Sequence, residues 1–385
     1  MIHYHHIGGR NGTFPFPLKK GNLLKDFHLI LYDADRDCLE HMQENKYENF
    51  GETMVLPYCI GKEKGSAEFY ITYHPAGSSL YRFNEEYKNF SSVTYPKYGE
   101  FIYGDSLKSE ESVFIETFSL SELLKKKSLP IDFLSLDVQG AEYDILLGSK
   151  DVIAQSVVGI QLEIEFIELY KNQRVFSEID RLLNSMGFEL IDVNSIGRAS
   201  PISLPIGFRA EEQIMYADFV YIKNFNSLIH HNDIDKMYQY ALFALIHKKM
   251  GLCINMLEYI KTNNFTSKKE TRYSHLLSKL LDVYKSEKNI YLPKFHQISG
   301  RNMMKSMYNS HVDEAAISKE KMNIDLFLKE KFSGFLENVK SIQNMDITPI
   351  EALLKEYDLD SLANILKHNR QDETKIYIDL ISNLT

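Results

Sequence analysis

The sequence predicts an α/β fold, a largely parallel sheet covered by helices, followed by an all-α region. Strand-like and helix-like segments alternate over residues 1–225, which is typical of a parallel sheet. The last two strand-like segments of this part follow each other without a helix, which fits an antiparallel edge pair. From Asn226 onward, strand signals and glycine nearly vanish and helical periodicity takes over. We therefore predict two domains, residues 1–225 and residues 226–385.

The strands are predicted from short apolar runs bounded by turn residues. In chain order they cover residues 2–7, 28–32, 53–60, 66–72, 113–118, 131–137, 157–166, 188–193 and 215–223. Residues 73–105, rich in Tyr, Ser, Gly and Pro, are predicted as a long loop, and loops of that length are usually functional or mobile.

Helices are predicted from apolar residues spaced three and four apart. In the first domain they cover residues 36–45, 121–127, 140–148 and 173–186. In the second they lie around residues 237–245 and 254–260 and over 270–285, 324–339 and 356–385. Ser119 and Ser121 are the candidate caps of the helix at 121–127.

Composition excludes several classes of protein. Apolar residues make up 44% and charged residues 25% of the chain, as in ordinary globular proteins. The chain has no run of about eighteen consecutive apolar residues, so no membrane span is predicted, and its first residues do not resemble a secretory signal. The three cysteines are scattered, which favours a reducing cytoplasm. A net charge of −9 argues against a nucleic-acid partner.

The ends of the first two strands carry residues suited to a nucleoside. Gly8, Gly9 and Gly12 follow the first strand and allow a turn whose backbone approaches a ligand closely. Asp33 ends the second strand, where an acid can accept hydrogen bonds from ribose hydroxyls. Asp35 is interpreted instead as the cap of the helix that follows.

Two further strands end in acids. Asp137 closes an apolar strand, where a charged carboxylate needs a ligand, a metal or hydrogen-bond donors as a partner. Glu142 lies in the first turn of the next helix, which favours an acid whatever its function, but its spacing to Ile145 and Leu146 turns it inward.

The strand at 157–166 alternates strictly, with Gln161, Glu163 and Glu165 on one face. A central parallel strand should be apolar on both faces. We interpret the acidic face as opening into a crevice rather than into solvent, where an acid can act as a general base on a hydroxyl or help to hold a divalent cation.

His3, His5 and His6 do not predict a metal site, because strand alternation sends His3 and His5 to one side and His6 to the other. A single histidine acting as a base near the crevice mouth is kept as an alternative.

Eight segments together resemble FkbM-type methyltransferases. In chain order these are YDAD, VLPYCIGKEKGSAEFYI, GSSLY, FSLSELL, IDFLSLDVQGAEYDILLGS, VGIQLEIEF, FSEIDRLLNSMGFELIDV and YADFVYIK. The resemblance covers roughly residues 1–225 and implies a Rossmann-like class I methyltransferase sheet that uses S-adenosylmethionine, with an antiparallel C-terminal edge strand. It also implies methylation of hydroxyls on sugars or polyketide-type acceptors.

The resemblance implies roles for individual residues. Gly8, Gly9, Gly12, Asp33, Cys59, Ile60 and Asp137 would bind the cofactor, and Asp137, Glu142, Glu163 and Glu165 are the catalytic candidates. Ser78 and Ser79 match a recurrent Ser-Ser-Leu that has no assigned role. His6 departs from the family, because it stands where an acid usually approaches the methionine amino end of the cofactor.

We therefore expect a cytoplasmic O-methyltransferase that acts on a sugar, nucleotide-sugar or glycolipid in surface-polysaccharide assembly. A divalent metal and a homo-oligomer formed through the helical domain stay open. Two alternatives also remain, a nucleotide-dependent oxidoreductase on a similar sheet and a degenerate methyltransferase fold whose helical half recruits partners.

Overall fold

The computed structural model describes residues 1–8, 17–18, 21–34, 38–39, 42, 47, 49–93, 99–208, 212–266, 271–287, 291–292, 339 and 347–382. These residues form two compact units, Met1–Leu277 and Ser278–Thr385. No helix among them is long and apolar enough to cross a bilayer. Gly9, Gly12 and Asp35, and most of the helices predicted at 36–45 and 324–339, lie outside the described residues.

Every run predicted from the sequence contains a strand, but the run at 53–60 is divided between two strands of different sheets, and two short strands within 73–105 were not predicted. The strands are β1 (Ile2–Ile7), β2 (Phe27–Tyr32), β3 (Glu52–Leu56), β4 (Cys59–Gly61), β5 (Gly65–Thr72), β6 (Ser91–Ser92), β7 (Phe101–Ile102), β8 (Ser109–Ser119), β9 (Phe133–Leu136), β10 (Gly159–Glu165), β11 (Phe188–Ala199) and β12 (Gln213–Lys223).

The predicted helices that fall within the described residues are present, and the helices at 103–106, 150–156, 225–231 and 349–356 were not predicted. The helices are α1 (Tyr103–Ser106), α2 (Leu120–Lys127), α3 (Glu142–Gly148), α4 (Lys150–Ser156), α5 (Phe176–Ser185), α6 (Phe225–His231), α7 (Ile234–Ile246), α8 (Met250–Thr262), α9 (Arg272–Ser286), α10 (Pro349–Glu356) and α11 (Asp360–Ser382). Of the two candidate caps of α2, Ser119 is the one observed, in a capping box with Glu122.

The main sheet has seven strands in the order β3-β2-β1-β9-β10-β12-β11. The pairs β2–β3, β1–β2, β1–β9 and β9–β10 are parallel, and β12 is antiparallel to both β10 and β11. The predicted fold class, a mostly parallel sheet with an antiparallel pair at its edge, is confirmed. The antiparallel strand β12 itself lies one place in from the edge, between β10 and β11.

One face of this sheet is covered by helices α2 to α5. Ile145, Ile153 and Ile179 of these helices belong to the same buried apolar cluster as Leu134 of β9 and Ile160 of β10. Burial of this kind contributes about 25 cal/mol per Å² and is the main term that holds the layers together.

The opposite face receives α7. The Phe243 ring lies 4.9 Å from the Phe133 ring, centroid to centroid. Gly159 lies directly beneath, where an added Cβ would come within 2.3 Å of that ring. Only glycine lets the helix approach β10 this closely, so α7 packs on the sheet as part of the first unit.

The insertion between β3 and α2 builds small sheets of its own. β4, β8 and β5 form one sheet, and β6 and β7 form another. The segment predicted as a long loop contains short 3-10 turns, α1 and a local apolar cluster in which Phe83 and Tyr103 pack with Leu169 and Tyr170. Its aromatic side chains therefore anchor it to the chain that follows β10.

The second unit has a short helix with a buried ion pair. Thr348 caps α10 by accepting the Glu351 N–H. Glu351 is 2% exposed, and Arg370 of α11 lies 3.3 Å from its carboxylate. A buried acid needs such a partner, so this pair fixes α11 against α10.

Candidate functional site

The strand register brings four of the predicted site residues to one level. Ile7 pairs with both Tyr32 and Leu136, and Leu136 pairs with Leu162. The residues that follow these four are Gly8, Asp33, Asp137 and Glu163. They therefore meet at the carboxyl edge of the sheet, which is where α/β folds bind ligands.

A cleft opens to solvent at this edge of the sheet. Its lining includes Gly8, Asp33, Cys59, Ile60 and Asp137, which are all the predicted cofactor residues that the structure describes. The rest of the lining is Ile7, Tyr32, Ala34, Tyr58, Phe69, Pro75, Ala76, Ser78, Leu80, Val138, Gln139 and Ala141. Neither Glu163 nor Glu165 belongs to it.

Gly8 lies in the lining of this cleft, where its backbone approaches the end of β9. Its φ is +90°, and an added Cβ would lie 1.7 Å from the Asp137 carbonyl oxygen. Its N–H donates to the Tyr32 carbonyl at 3.1 Å. Any larger residue would push the ends of β1 and β9 apart, so this position requires glycine.

Asp33 and Cys59 lie close together in the lining of the cleft. The Asp33 carboxylate is half-buried and accepts a hydrogen bond from the Cys38 thiol at 3.1 Å. Burial and the nearby Asp33 charge raise the pKa of Cys59 to about 12. Cys59 is therefore a neutral thiol in the wall of the cleft and not a nucleophile.

The turn after β9 is held by Glu142, which is 1% exposed. Its two carboxylate oxygens accept the N–H groups of Val138 and Gly140, each at 2.9 Å. Ser79 adds a third tie by donating to the Gln139 carbonyl at 2.6 Å, which gives the Ser-Ser-Leu segment a structural role. Burial raises the pKa of Glu142 well above its usual value. The geometry makes Glu142 the residue that shapes the turn.

Within this turn, Gln139 has a φ of +56°, a conformation that non-glycine residues rarely adopt. Its side-chain Nε2 donates to Asp137 at 2.8 Å and to Glu163 at 2.9 Å. The Tyr170 hydroxyl lies 3.0 Å from its Oε1. Since two carboxylates need donors, the amide orientation is fixed, and Gln139 connects Asp137 in the cleft to Glu163 behind it.

Acidic groups accumulate on the β10 side of this connection. Glu163 pairs with Asp218 across the antiparallel strands, and Glu165 accepts a hydrogen bond from Gln173 at 2.9 Å. Burial, with repulsion from neighbouring acids, raises the pKa of Asp137 to about 6 and that of Glu165 to about 7. The pKa of Glu163 is raised well above its usual value for the same reasons. Carboxylates with proton affinities near neutrality suit proton transfer.

Comparison with known families shows what kind of domain holds this cleft. The model described as Methyltransferase FkbM domain matches residues 6–190. Residues 6–190 are a methyltransferase FkbM domain. This match contains the Gly8 turn, the Asp33 strand end and the 137–142 turn, and it confirms the resemblance read from the sequence.

No curated protein matches the chain. Among solved structures, a putative RNA methyltransferase from Pyrococcus horikoshii matches at 11% identity with a TM-score of 0.26, over 58% of this chain and 74% of its own. A dimethyladenosine transferase from Plasmodium falciparum matches at 14% identity with a TM-score of 0.27, over 75% of this chain and 84% of its own. Scores this low carry no conclusion about fold or acceptor.

The histidines of β1 lie away from the cleft of the FkbM domain. His6 is 1% exposed, its Nδ1 lies 2.9 Å from the Ser135 hydroxyl, and burial lowers its pKa to about 4. His3 and His5 lie on the face opposite His6, as strand alternation predicted. His3 contacts Asp132, and His5 contacts the Tyr32 hydroxyl. None of the three is in the lining, so the alternative of a β1 histidine as the base has no support in the geometry.

Among the residues behind the cleft, Tyr170, Gln173 and Asp218 were not singled out from the sequence. Asp218 had a signal, because it interrupts an otherwise apolar strand. Tyr170 and Gln173 had none, since they follow β10 in an irregular segment. Within the described part of the chain, no group of three or more His, Cys, Asp or Glu residues has a metal-site arrangement.

Proposed function

We propose that the FkbM domain binds S-adenosylmethionine and methylates a hydroxyl group of a sugar or glycoconjugate. The observation that carries this proposal is the shared cleft, in which Gly8, Asp33, Cys59, Ile60 and Asp137 meet beside a group of carboxylates whose pKa values lie near or above neutrality.

The cleft fits the cofactor by the chemistry of its lining. Asp33 offers a carboxylate for ribose hydroxyls. Tyr58, Ile60 and Phe69 provide an apolar and aromatic wall suited to a flat base. When bound, the cofactor supplies an electrophilic methyl group on a sulfonium.

The carboxylates supply what a hydroxyl acceptor requires. An alcohol must lose its proton as the new bond forms, and a base with a pKa near the working pH removes it most effectively. Glu165, with a pKa of about 7, is the first candidate for that base. Glu165 lies behind Gln173, and Glu163, whose pKa is raised well above its usual value, lies behind Gln139 and keeps its proton.

The sheet order favours this function over the oxidoreductase alternative. Dinucleotide-binding sheets of the Rossmann type have the order 3-2-1-4-5-6. Here β12 is inserted antiparallel between β10 and β11.

The biological setting belongs to the same proposal. The acceptor would be a sugar, nucleotide-sugar or glycolipid used in surface-polysaccharide assembly, and the enzyme would act in the cytoplasm. A domain boundary between residues 225 and 226 stays a prediction. A homo-oligomer formed through the helical part stays a prediction as well.

The proposal is tested with the purified full chain. It is incubated with methyl-labelled S-adenosylmethionine and with surface glycans from a strain that lacks the gene. Mass spectrometry should find one added methyl group on a sugar hydroxyl. Asp137→Asn should abolish the transfer, and Asp151→Asn, an exposed change on α4, should not. Label that enters only protein or nucleic acid, or no glycan label at all, would exclude sugar O-methylation.

A further inference from the structure

We propose that Asp137 binds the ammonium group at the amino-acid end of the cofactor, with Gln139 and Glu163 holding its carboxylate in place. The inference rests on the cofactor assigned under the proposed function. S-adenosylmethionine has a neutral adenosine end and an amino-acid end that carries an ammonium. The two ends need different partners, and the cleft offers two carboxylates at different positions.

Asp33 and Asp137 are the ionisable acids of the described lining, which includes no lysine, arginine or histidine. They follow β2 and β9, on either side of β1. Asp33 lies close enough to Cys59 for its charge to raise the pKa of that thiol. Asp137 lies on the other side, toward Glu163 of β10 and Asp218 of β12. The adenosine therefore belongs with Asp33, and the ammonium belongs with Asp137.

The surroundings of Asp137 attract a cation. Every titratable group that faces it is an acid or a phenol: Asp33, Glu142, Glu163, Glu165, Tyr170 and Asp218. No ion pair within the described chain includes Asp137, Glu163 or Glu165. An ammonium placed against Asp137 would relieve the mutual repulsion of these carboxylates.

Gln139 prepares Asp137 for this role. One amide nitrogen donates to both Asp137 and Glu163, so the amide holds one oxygen of each carboxylate in place. The amide itself is fixed by Tyr170 and by the Glu142-bound turn. A carboxylate fixed in advance loses little entropy when a ligand binds.

The inference has a consequence for pH. In the free protein the pKa of Asp137 is about 6, since burial and neighbouring acids favour its protonated form. An ammonium favours the ionised form, so binding displaces a proton below that pH. Affinity for a ligand with the amino-acid end should therefore rise between pH 5 and 7. A ligand without that end should bind independently of pH.

Two ligands with an uncharged sulfur allow the two ends of the cofactor to be tested separately. S-adenosylhomocysteine keeps the ammonium, and 5′-methylthioadenosine has the same adenosine but no amino-acid end. Calorimetry on the full chain should show that Asp137→Asn weakens S-adenosylhomocysteine binding about 10- to 100-fold, the usual effect of losing a charge-assisted hydrogen bond. Binding of 5′-methylthioadenosine should change less than about threefold. Asp33→Asn should weaken both ligands, and the exposed control Asp151→Asn should weaken neither.

Equal losses for both ligands in Asp137→Asn would overturn the inference while leaving the cofactor assignment intact. If that variant does not fold, the wild-type protein decides: S-adenosylhomocysteine affinity that is flat from pH 5 to 7.5 overturns the inference as well. Wild-type protein that binds neither ligand would instead exclude the proposed function itself.

Discussion

At the scale of single residues, Gln139 has the most demanding position in the site. It adopts a left-handed backbone conformation, which costs on the order of 1 kcal/mol or more for a residue with a side chain. The fold retains it because both ends of its amide are used, by Asp137 and Glu163 at one end and by Tyr170 at the other.

Replacing Gln139 with Leu should raise the pKa values of Asp137 and Glu163, because the donor that favours their ionised forms is removed. Carbon-detected NMR titration of labelled carboxyl groups measures this directly. The matched control is Gln155→Leu, an exposed position on α4. Titration midpoints that stay in place or move downward in Gln139→Leu would show that the amide does not control these acids.

Glu142 gives a second prediction at this scale. Its carboxylate accepts two backbone N–H groups in a site with 1% exposure. Glu142→Ala leaves both donors unsatisfied, so the free energy of unfolding should fall by about 2–4 kcal/mol. Urea denaturation checks this, with Glu258→Ala on the exposed face of α8 as the control. Equal stability of the two variants would contradict the role given to Glu142.

The sequence could predict which residues end the strands but not what lies behind them. Gly8, Asp33 and Asp137 follow apolar runs, and parallel strands must place such ends at one edge. The contacts of Gln139 with Tyr170 and of Gln173 with Glu165 join segments about 30 and 8 residues apart. They depend on the path of an irregular segment, which local periodicity does not specify. The burial of His6 against Ser135 likewise depends on the register between β1 and β9.

At the scale of elements, α7 is the clearest departure from a simple division into a sheet domain and a helical domain. Among the described residues, every strand lies before residue 226, where the periodicity changes. The change in periodicity cannot show that the next helices pack on the sheet, because an apolar helix face does not identify its partner. Phe243 and Gly159 determine that α7 packs on the sheet, because the Phe243 ring occupies the space that a side chain at position 159 of β10 would fill.

Phe243→Ala should therefore destabilise the sheet and not only the helix. Removing a buried phenylalanine costs about 3–5 kcal/mol. Hydrogen exchange of β9 and β10 amides should accelerate, because α7 covers these strands. Phe114→Ala, on a ring that is 78% exposed, is the control and should leave the exchange unchanged. Faster exchange confined to α7 and α8 would show that these helices unfold independently of the sheet.

At the scale of the whole molecule, the buried acids make the stability of the first unit depend on pH. Burial, with repulsion from Asp137, raises the pKa of Glu165 to about 7, above the 4.5 of an exposed glutamate. The folded state therefore binds more protons than the unfolded state between these values. The contribution of protonated Glu165 is complete below pH 4.5 and is lost as the pH rises through 7.

Glu165→Gln removes this titration while keeping a side chain that Gln173 can still contact. Relative to the wild type, the variant should gain on the order of 2 kcal/mol of unfolding free energy between pH 5 and pH 8, since each unit of pKa shift corresponds to about 1.4 kcal/mol. Urea unfolding monitored through β10 amide exchange reports the first unit alone. Glu258→Gln, an exposed control, should show no such gain. A variant-to-wild-type difference that is constant with pH would mean that folding does not raise the pKa of Glu165, which would then not be a base matched to neutral pH.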